Sequence, residues 1–231
     1  MNTRSRTGSP PPQAGPLASV IQDRSLADDV VSSEIRGIAT AFLQGVGALL
    51  DRLELGALER IVRRLTTARD HGATVYIAGN GGSAATASHW VNDLGKATKR
   101  PGCLPMRVLS LNDNVSWLTA LANDEGYEWV FSGQLDNFAR PGDVLMVISA
   151  SGNSANLIRA VELAQLRGVT TIALLGFDGG VLKNKVDDCL WVPTDKGAYG
   201  LVESIHSAVC HLLTVCLAHA PSSPVTDDPD R

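Results

Sequence analysis

No apolar run in the chain is long enough to cross a bilayer. The longest, around Ala208–Ala218, is broken by His211 and falls short of the ~20 residues a spanning helix needs. Arg4 and Arg6 are followed by no apolar stretch, so the N-terminus does not read as a secretory leader. Cysteine is sparse: the four, at 103, 189, 210 and 216, form no CxxC pair and no disulfide framework, which suits free thiols in a reducing cytoplasm. Positive charge has no excess either. Twenty Lys+Arg against 24 Asp+Glu leave a net charge of -4, which argues against a general grip on nucleic acid. Internal repeats are absent. What is present, 44% hydrophobic and 19% charged residues over 231 positions, is too apolar for a disordered chain and long enough to bury a core. A soluble cytoplasmic globular protein is the expectation.

Residues 1–27, opening with the Pro/Ser/Gly-rich Met1–Pro16, read as a flexible tail, 28–220 as one domain, and 221–231 as a second flexible tail. From Asp28 to Arg69 apolar residues recur at helical spacing (Ile35, Ile38, Phe42, Val46, then Leu58, Ile61, Leu65), predicting two helices parted near Leu55-Gly56. After Gly72 the period changes. Short β-branched runs at Thr74–Ile77, Met106–Leu109, Val144–Ile148, Thr170–Leu174 and Cys189–Val192 alternate with helix-length segments such as Ser154–Gln165, and a last helix runs over about Gly200–Ala218. Near-continuous apolar strands alternating with helices predict an α/β fold with a parallel sheet covered on both faces.

Two turns carry candidate chemistry. Thr74–Ile77 leads into Ala78-Gly79-Asn80-Gly81-Gly82-Ser83 and then a helix, where glycines let amides approach an anion at a positively polarised helix N-terminus. It is neither a Walker loop nor GxGxxG; alone it is moderately specific for an anion, with a plain tight turn as the lesser reading. Val144–Ile148 ends in Ser149-Ala150-Ser151-Gly152-Asn153-Ser154, again opening a helix. Three hydroxyls and a set of free amides at the carboxyl end of a parallel strand suit a phosphoryl group without any Lys or Arg. A helix cap by Ser154 or Asn153 would explain one residue and not the cluster.

GNGGS after the first strand and SxSGNS after a later one resemble the sugar isomerase (SIS) domain. Leu118–Tyr127 (LTALANDEGY), Arg140–Leu145 (RPGDVL) and Gly176–Gly180 (GFDGG) are similar to the phosphoheptose isomerase branch of that family. The likeness covers roughly Ala41 to Ala218. It implies a flavodoxin-like three-layer sandwich with a five-stranded parallel sheet plus N-terminal helices, a sugar phosphate ligand, and a homotetramer with active sites between subunits. The implied phosphate- and sugar-binding residues are Asn80, Gly81, Gly82, Ser83, Asn114, Ser149, Ala150, Ser151, Ser154 and Glu203.

His89 and Asp93 stand i, i+4 on the helix after GNGGS, and Glu203 and His211 i, i+8 on the last helix. The resemblance implies that His89, Asp93, Glu203 and His211 line the active site and hold one Zn²⁺, with Asp93 as the base and His211 as the acid. The implied reaction is metal-assisted aldose–ketose isomerisation through an enediol, sedoheptulose 7-phosphate to a D-glycero-heptose 7-phosphate. His206 and His219 read instead as core histidines, and Trp117 and Trp129 as packing or interface residues. The chain departs from the family pattern at Asp93 (Glu in the family), Glu203 (Gln), Asn114 (Asp) and Gly200 (Asp), altering sugar-reading positions and leaving the phosphate loops intact. The alternative is a non-catalytic SIS protein that binds a phosphosugar or the replication initiator DnaA; retention of His89 and His211 speaks for the enzyme. A helix-turn-helix regulator has no room in this length, and the LTALANDEGY stretch argues against an amino-sugar lyase or etherase.

Overall fold

The computed structural model describes residues 16–221, with side chains from Val31 onward. Helix α1 (Pro16–Leu50) is followed by α2 (Leu55–Asp70) and then, among the described residues, by five strands interleaved with five further helices, with two helices between the second and third strands and only a 3₁₀ turn between the fourth and fifth. The strands are β1 (Thr74–Gly79), β2 (Arg107–Ser110), β3 (Val144–Ser149), β4 (Thr170–Leu175) and β5 (Asp188–Trp191). Among them lie α3 (Gly82–Ala97), α4 (Val115–Asp124), α5 (Ser132–Phe138) and α6 (Ala155–Leu166), and α7 (Tyr199–His219) closes the fold. All pairings are parallel and the strand order is β2-β1-β3-β4-β5. This is the flavodoxin-like arrangement, whose order reverses at β1/β3 and opens a crevice at the strands' carboxyl ends.

β1 and β3 are buried throughout, so which face a residue takes follows from the two-residue period of a strand. Val75, Ile77, Met146 and Ile148 point to a layer formed by α2, α3 and α7 (Ile61, Leu65, Trp90, Leu94, Val209, Leu213). Tyr76, Ala78, Leu145 and Val147 point the other way, onto α4, α5 and α6 (Leu121, Leu135, Leu157, Val161). Trp90, fully buried, donates its indole N–H to Thr214 Oγ1 at 3.0 Å and locks α3 to α7. The carboxyl end of α7 is closed by cations, as the helix dipole favours. Arg69 donates to the carbonyls of Leu217 and Pro221, and Arg100 to those of Ala218 and Ala220.

By length and hydropathy α7 could span a membrane, but its Val202, Ile205, Val209, Leu213 and Leu217 are buried in the protein. Two sequence expectations change. Positions 16–27, expected as tail, are helical: Pro16 takes the first helical position, where its missing N–H loses no bond, and the Leu, Ala, Gln and Arg that follow are good helix formers. The remaining tail positions, 1–15 and 222–231, lie outside the described residues. The break between α1 and α2 falls at 51–54, because the Glu54 carbonyl accepts from the amides of Ala57 and Leu58 and so starts α2 ahead of Gly56. The described residues divide into two compact units, one made of α1 as far as Gly45 and one running from Val46 onward.

Candidate active site

The two loops singled out in the sequence meet at the carboxyl edge of the sheet. Asn112, beyond β2, takes the place of a missing strand partner for Gly79: its amide donates to the Gly79 carbonyl at 2.9 Å, and the Gly79 N–H donates to its Oδ1 at 3.2 Å. Asn80 is held on three sides. Its amide pairs reciprocally with that of buried Asn156 (3.0 and 2.9 Å), and the Tyr127 hydroxyl donates to its Oδ1 at 2.9 Å. The amides of Gly81 and Gly82, at the start of α3, have no protein acceptor among the described residues, as expected of a helix N-terminus open to an anion.

The serine loop is braced differently. The amide of Gly152 donates to Ser149 Oγ at 3.0 Å and that of Asn153 to Ser151 Oγ at 3.3 Å. Two of the amides expected to be free are therefore used within the turn, and this loop offers chiefly hydroxyls. Gly152 has φ +63, and a Cβ on it would lie 2.0 Å from the Gly179 carbonyl oxygen, so the close approach of the two loops demands glycine. Asn153 cements that approach by accepting from the Val181 amide at 3.0 Å. Ser154, at the N-cap position of α6, makes no side-chain capping bond and keeps its hydroxyl available.

Asn80, Ser83, Ser149, Ala150, Ser151, Ser154, Tyr199 and Glu203 line a cavity of about 150 Å³ between these loops, roomy enough for a phosphoryl group. Tyr199 was missed in the sequence. It stacks edge-on against Phe177 (centroids 5.0 Å), which holds a strained φ of +43 just beyond β4, at the same sheet edge. Glu203 reaches across from α7 to the first turn of α3. Its carboxylate oxygens lie 2.5 and 2.6 Å from where a Cβ on Gly82 would stand, so the glycine leaves the space the carboxylate fills. A carboxylate suits the positive end of a helix.

One to two turns further along the same two helices stands a second cluster. Asp93 Oδ2 is 3.3 Å from His89 Nε2 and 3.5 Å from His211 Nε2, and the two Nε2 atoms are 3.4 Å apart. Each of the three atoms can offer a lone pair to a metal ion. Zinc with ligands at 2.0–2.1 Å sets them roughly 3.4 Å apart in a tetrahedron, so the triangle fits one face of that ion. Side-chain exposure of 55% for each histidine leaves the opposite side open for a further ligand. Cys210 does not join the cluster. Burial first, and the Asp93 charge second, push its thiol far up, so it stays protonated.

Ser83 and His89 are six residues apart on α3, about 9 Å along the axis, while Glu203 and His211 are eight apart on α7, about 12 Å. The serine-lined cavity and the His89–Asp93–His211 cluster are thus about two helical turns apart along the same pair of helices.

The SIS domain profile matches residues 41–176. The phosphoheptose isomerase of Akkermansia muciniphila is 39% identical over 187 residues, covering 80% of this chain and 93% of that one. The chain belongs to the phosphoheptose isomerase branch of the SIS domain family. The phosphoheptose isomerase of Thiobacillus denitrificans is 37% identical over 190 residues, covering 80% and 91% of the two chains. The solved phosphoheptose isomerase of Neisseria gonorrhoeae superposes with a TM-score of 0.74 at 27% identity, over 82% of this chain and all of that one.

Against the residues expected from that family, the structure gathers Asn80, Ser83, Ser149, Ala150, Ser151, Ser154 and Glu203 around one cavity, and His89, Asp93 and His211 around one point. Gly81 and Gly82 form the turn without lining the cavity. Asn114 is elsewhere: exposed, with its Oδ1 accepting from the Trp117 amide at 3.1 Å, it caps α4. Glu203 does not stand with the other three expected ligands, because two helical turns separate it from His211 and its carboxylate is packed on Gly82. His206 is a core histidine, 1% exposed, with neither ring nitrogen hydrogen-bonded. His219 is not: it is exposed in the last turn of α7, its Nδ1 2.8 Å from the Val215 carbonyl. Asn112, Tyr127 and Asn156 were not singled out in the sequence. Asn156, two residues past Ser154 in SGNSAN, is a polar residue on a face expected to be apolar, and that is the one signal that could have found it.

Proposed function

We propose that the protein interconverts a ketose phosphate and an aldose phosphate through an enediol, with sedoheptulose 7-phosphate and a D-glycero-heptose 7-phosphate as the pair. The separation of the serine-lined cavity from the His89–Asp93–His211 cluster carries this reading: the cavity takes the phosphate, and a seven-carbon chain extends along α3 and α7 to put its carbonyl end at the cluster. The names of the relatives point the same way.

In the forward direction the Asp93 carboxylate takes the proton from C1 and the C–H electron pair forms the C1–C2 double bond. The carbonyl oxygen at C2 receives a proton from His211. Return of the carbon-bound proton to C2, with loss of the hydroxyl proton at C1, completes the aldose. His89 and His211, with Asp93, would also hold a zinc ion, which when bound supplies Lewis acidity to the sugar oxygens. Glu203 can only accept hydrogen bonds when ionised, so it selects a hydroxyl facing it. Its negative charge also weakens the cavity for the phosphate dianion relative to a neutral amide there.

We place the protein in the cytoplasm as a homotetramer with inter-subunit sites, without nucleic-acid or membrane partners. The four cysteines are free thiols, and Val31, Ile35, Ile38 and Phe42 form an exposed apolar stripe along α1 that a second copy would cover.

The deciding experiment incubates the zinc-loaded protein with sedoheptulose 7-phosphate in D₂O and follows it by proton NMR. Deuterium entering C1 or C2 with a new aldose signal is expected. Asp93→Asn should slow that exchange by about 10²–10⁴-fold, and Asp93→Glu should retain it. No exchange, with the sugar phosphate still raising the melting temperature, would overturn the isomerase in favour of a binding protein. Protein purified without added zinc should carry close to one equivalent per site by metal analysis; a value near zero would remove the metal.

A further inference from the structure

A cavity of about 380 Å³ lies at the other end of the sheet, where β3, β4 and β5 begin. Its walls include Arg60, Arg63, Arg64 and Thr67 of α2, Thr170 of β4 and Asp188 of β5. Val144 lines this cavity and Ser149 the serine-lined one, so five steps of β3, about 17 Å, separate the two.

Asp188, 7% exposed, accepts from Arg60 Nε at 3.0 Å on one oxygen and from Arg64 Nε at 2.9 Å on the other. An arginine bound only to stabilise a carboxylate commonly engages it with a two-pronged fork. Here one carboxylate holds the Nε atoms of two arginines, which sets both side chains and leaves their terminal Nη groups free to turn elsewhere. Arg64 has no other polar partner among the described residues, Arg60 adds only a 3.5 Å pair with Glu54, and Arg63 only a 3.9 Å pair with Glu59 on its own helix. The Thr67 and Thr170 hydroxyls have no protein partner among the described residues. Three guanidinium groups against one carboxylate thus face a single cavity, in a chain whose net charge is -4.

We propose that this cavity binds a phosphate-bearing small molecule at a site distinct from the one that takes the substrate. Planar guanidinium groups match phosphate oxygens with paired N–H donors, and two of them are held in place before the ligand arrives, which reduces the ordering it must impose. About half of the Arg60 and Arg64 side chains and more of Arg63 are exposed, so binding is salt-sensitive.

Calorimetric titration of the full chain with inorganic pyrophosphate at low salt tests this. Two sites per chain are expected. The double variant Ser151→Ala/Ser154→Ala should lose one and keep the other, while Arg64→Gln should weaken the second by about tenfold or more and leave the first. Arg64→Gln removes a counter-charge from Asp188, so Arg63→Glu, at an exposed position outside that pair, provides the second variant and should weaken the same site. A single site abolished by the serine variant, a second site indifferent to both arginine variants, or no binding at all would each overturn the proposal. The serine-lined site is read out separately, so a failed isomerase reading and a failed second site remain distinguishable.

Discussion

Two buried polar side chains, Asn156 and His206, shape the fold from inside. Asn156, 2% exposed, satisfies both ends of the Asn80 amide, and in its absence Asn80 would keep only the Tyr127 hydroxyl. Asn156→Ala should therefore lower stability by about 1–3 kcal/mol in urea unfolding, the net worth of the two hydrogen bonds lost at about 0.5–1.5 kcal/mol each. It should also raise KM more than it lowers kcat, since the proton-handling cluster is untouched. Equal losses in both would show that Asn80 does not serve binding. His206 sets a pH dependence. Burial lowers its pKa to about 4 from 6.5, with a weak opposing pull from the Leu175 carbonyl that falls short of a full hydrogen bond. The unfolded chain binds that proton more readily than the folded one, so this contribution is complete above pH ~6.5 and is lost as pH falls toward 4. It amounts to roughly 3 kcal/mol at most. The melting temperature should climb with pH across that window, and His206→Gln should flatten the climb; an unchanged slope would assign it to other groups.

Loops and helices, more than individual donors, decide where the serine-lined cavity lies. The serine turn closes on the Gly176–Gly180 loop only because Gly152 adopts φ +63 with nothing between its Cα and the Gly179 carbonyl. Gly152→Ala demands both a left-handed alanine and a displaced loop, and it should abolish sugar phosphate binding in a thermal-shift assay while leaving the far-UV circular dichroism of the sheet and helices intact. Retained binding would mean that the two loops need not touch. α3 and α7 carry both clusters, and the buried Trp90–Thr214 bond fixes their mutual register. The spacing of His89 and Asp93 was legible in the sequence, because a single helix imposes it. The meeting of His89 with His211, 122 positions apart, was not, because it depends on that inter-helix register.

On the scale of the whole molecule, the exposed apolar stripe of α1 asks for a partner. Burying it in a homotetramer should make a tetramer the species seen by light scattering, and Ile38→Glu with Phe42→Glu should split it into smaller species. A wild-type monomer would contradict the assembly. The amino-acid sequence by itself determined the α/β class and the parallel sheet, because strand and helix periods are local properties, and it marked the two loops that line one cavity, because their glycine and serine clusters stand out at strand ends. It also carried the family likeness. Only the tertiary structure decided that Asn114 caps a helix, that Glu203 leaves the histidine cluster to lie against Gly82, and that Asn112 and Asn156 brace the first loop. It also brought Arg60 and Arg64 onto Asp188, more than a hundred positions away. Those outcomes rest on contacts between segments far apart in the chain, and no local period or spacing encodes which distant polar group a side chain will meet.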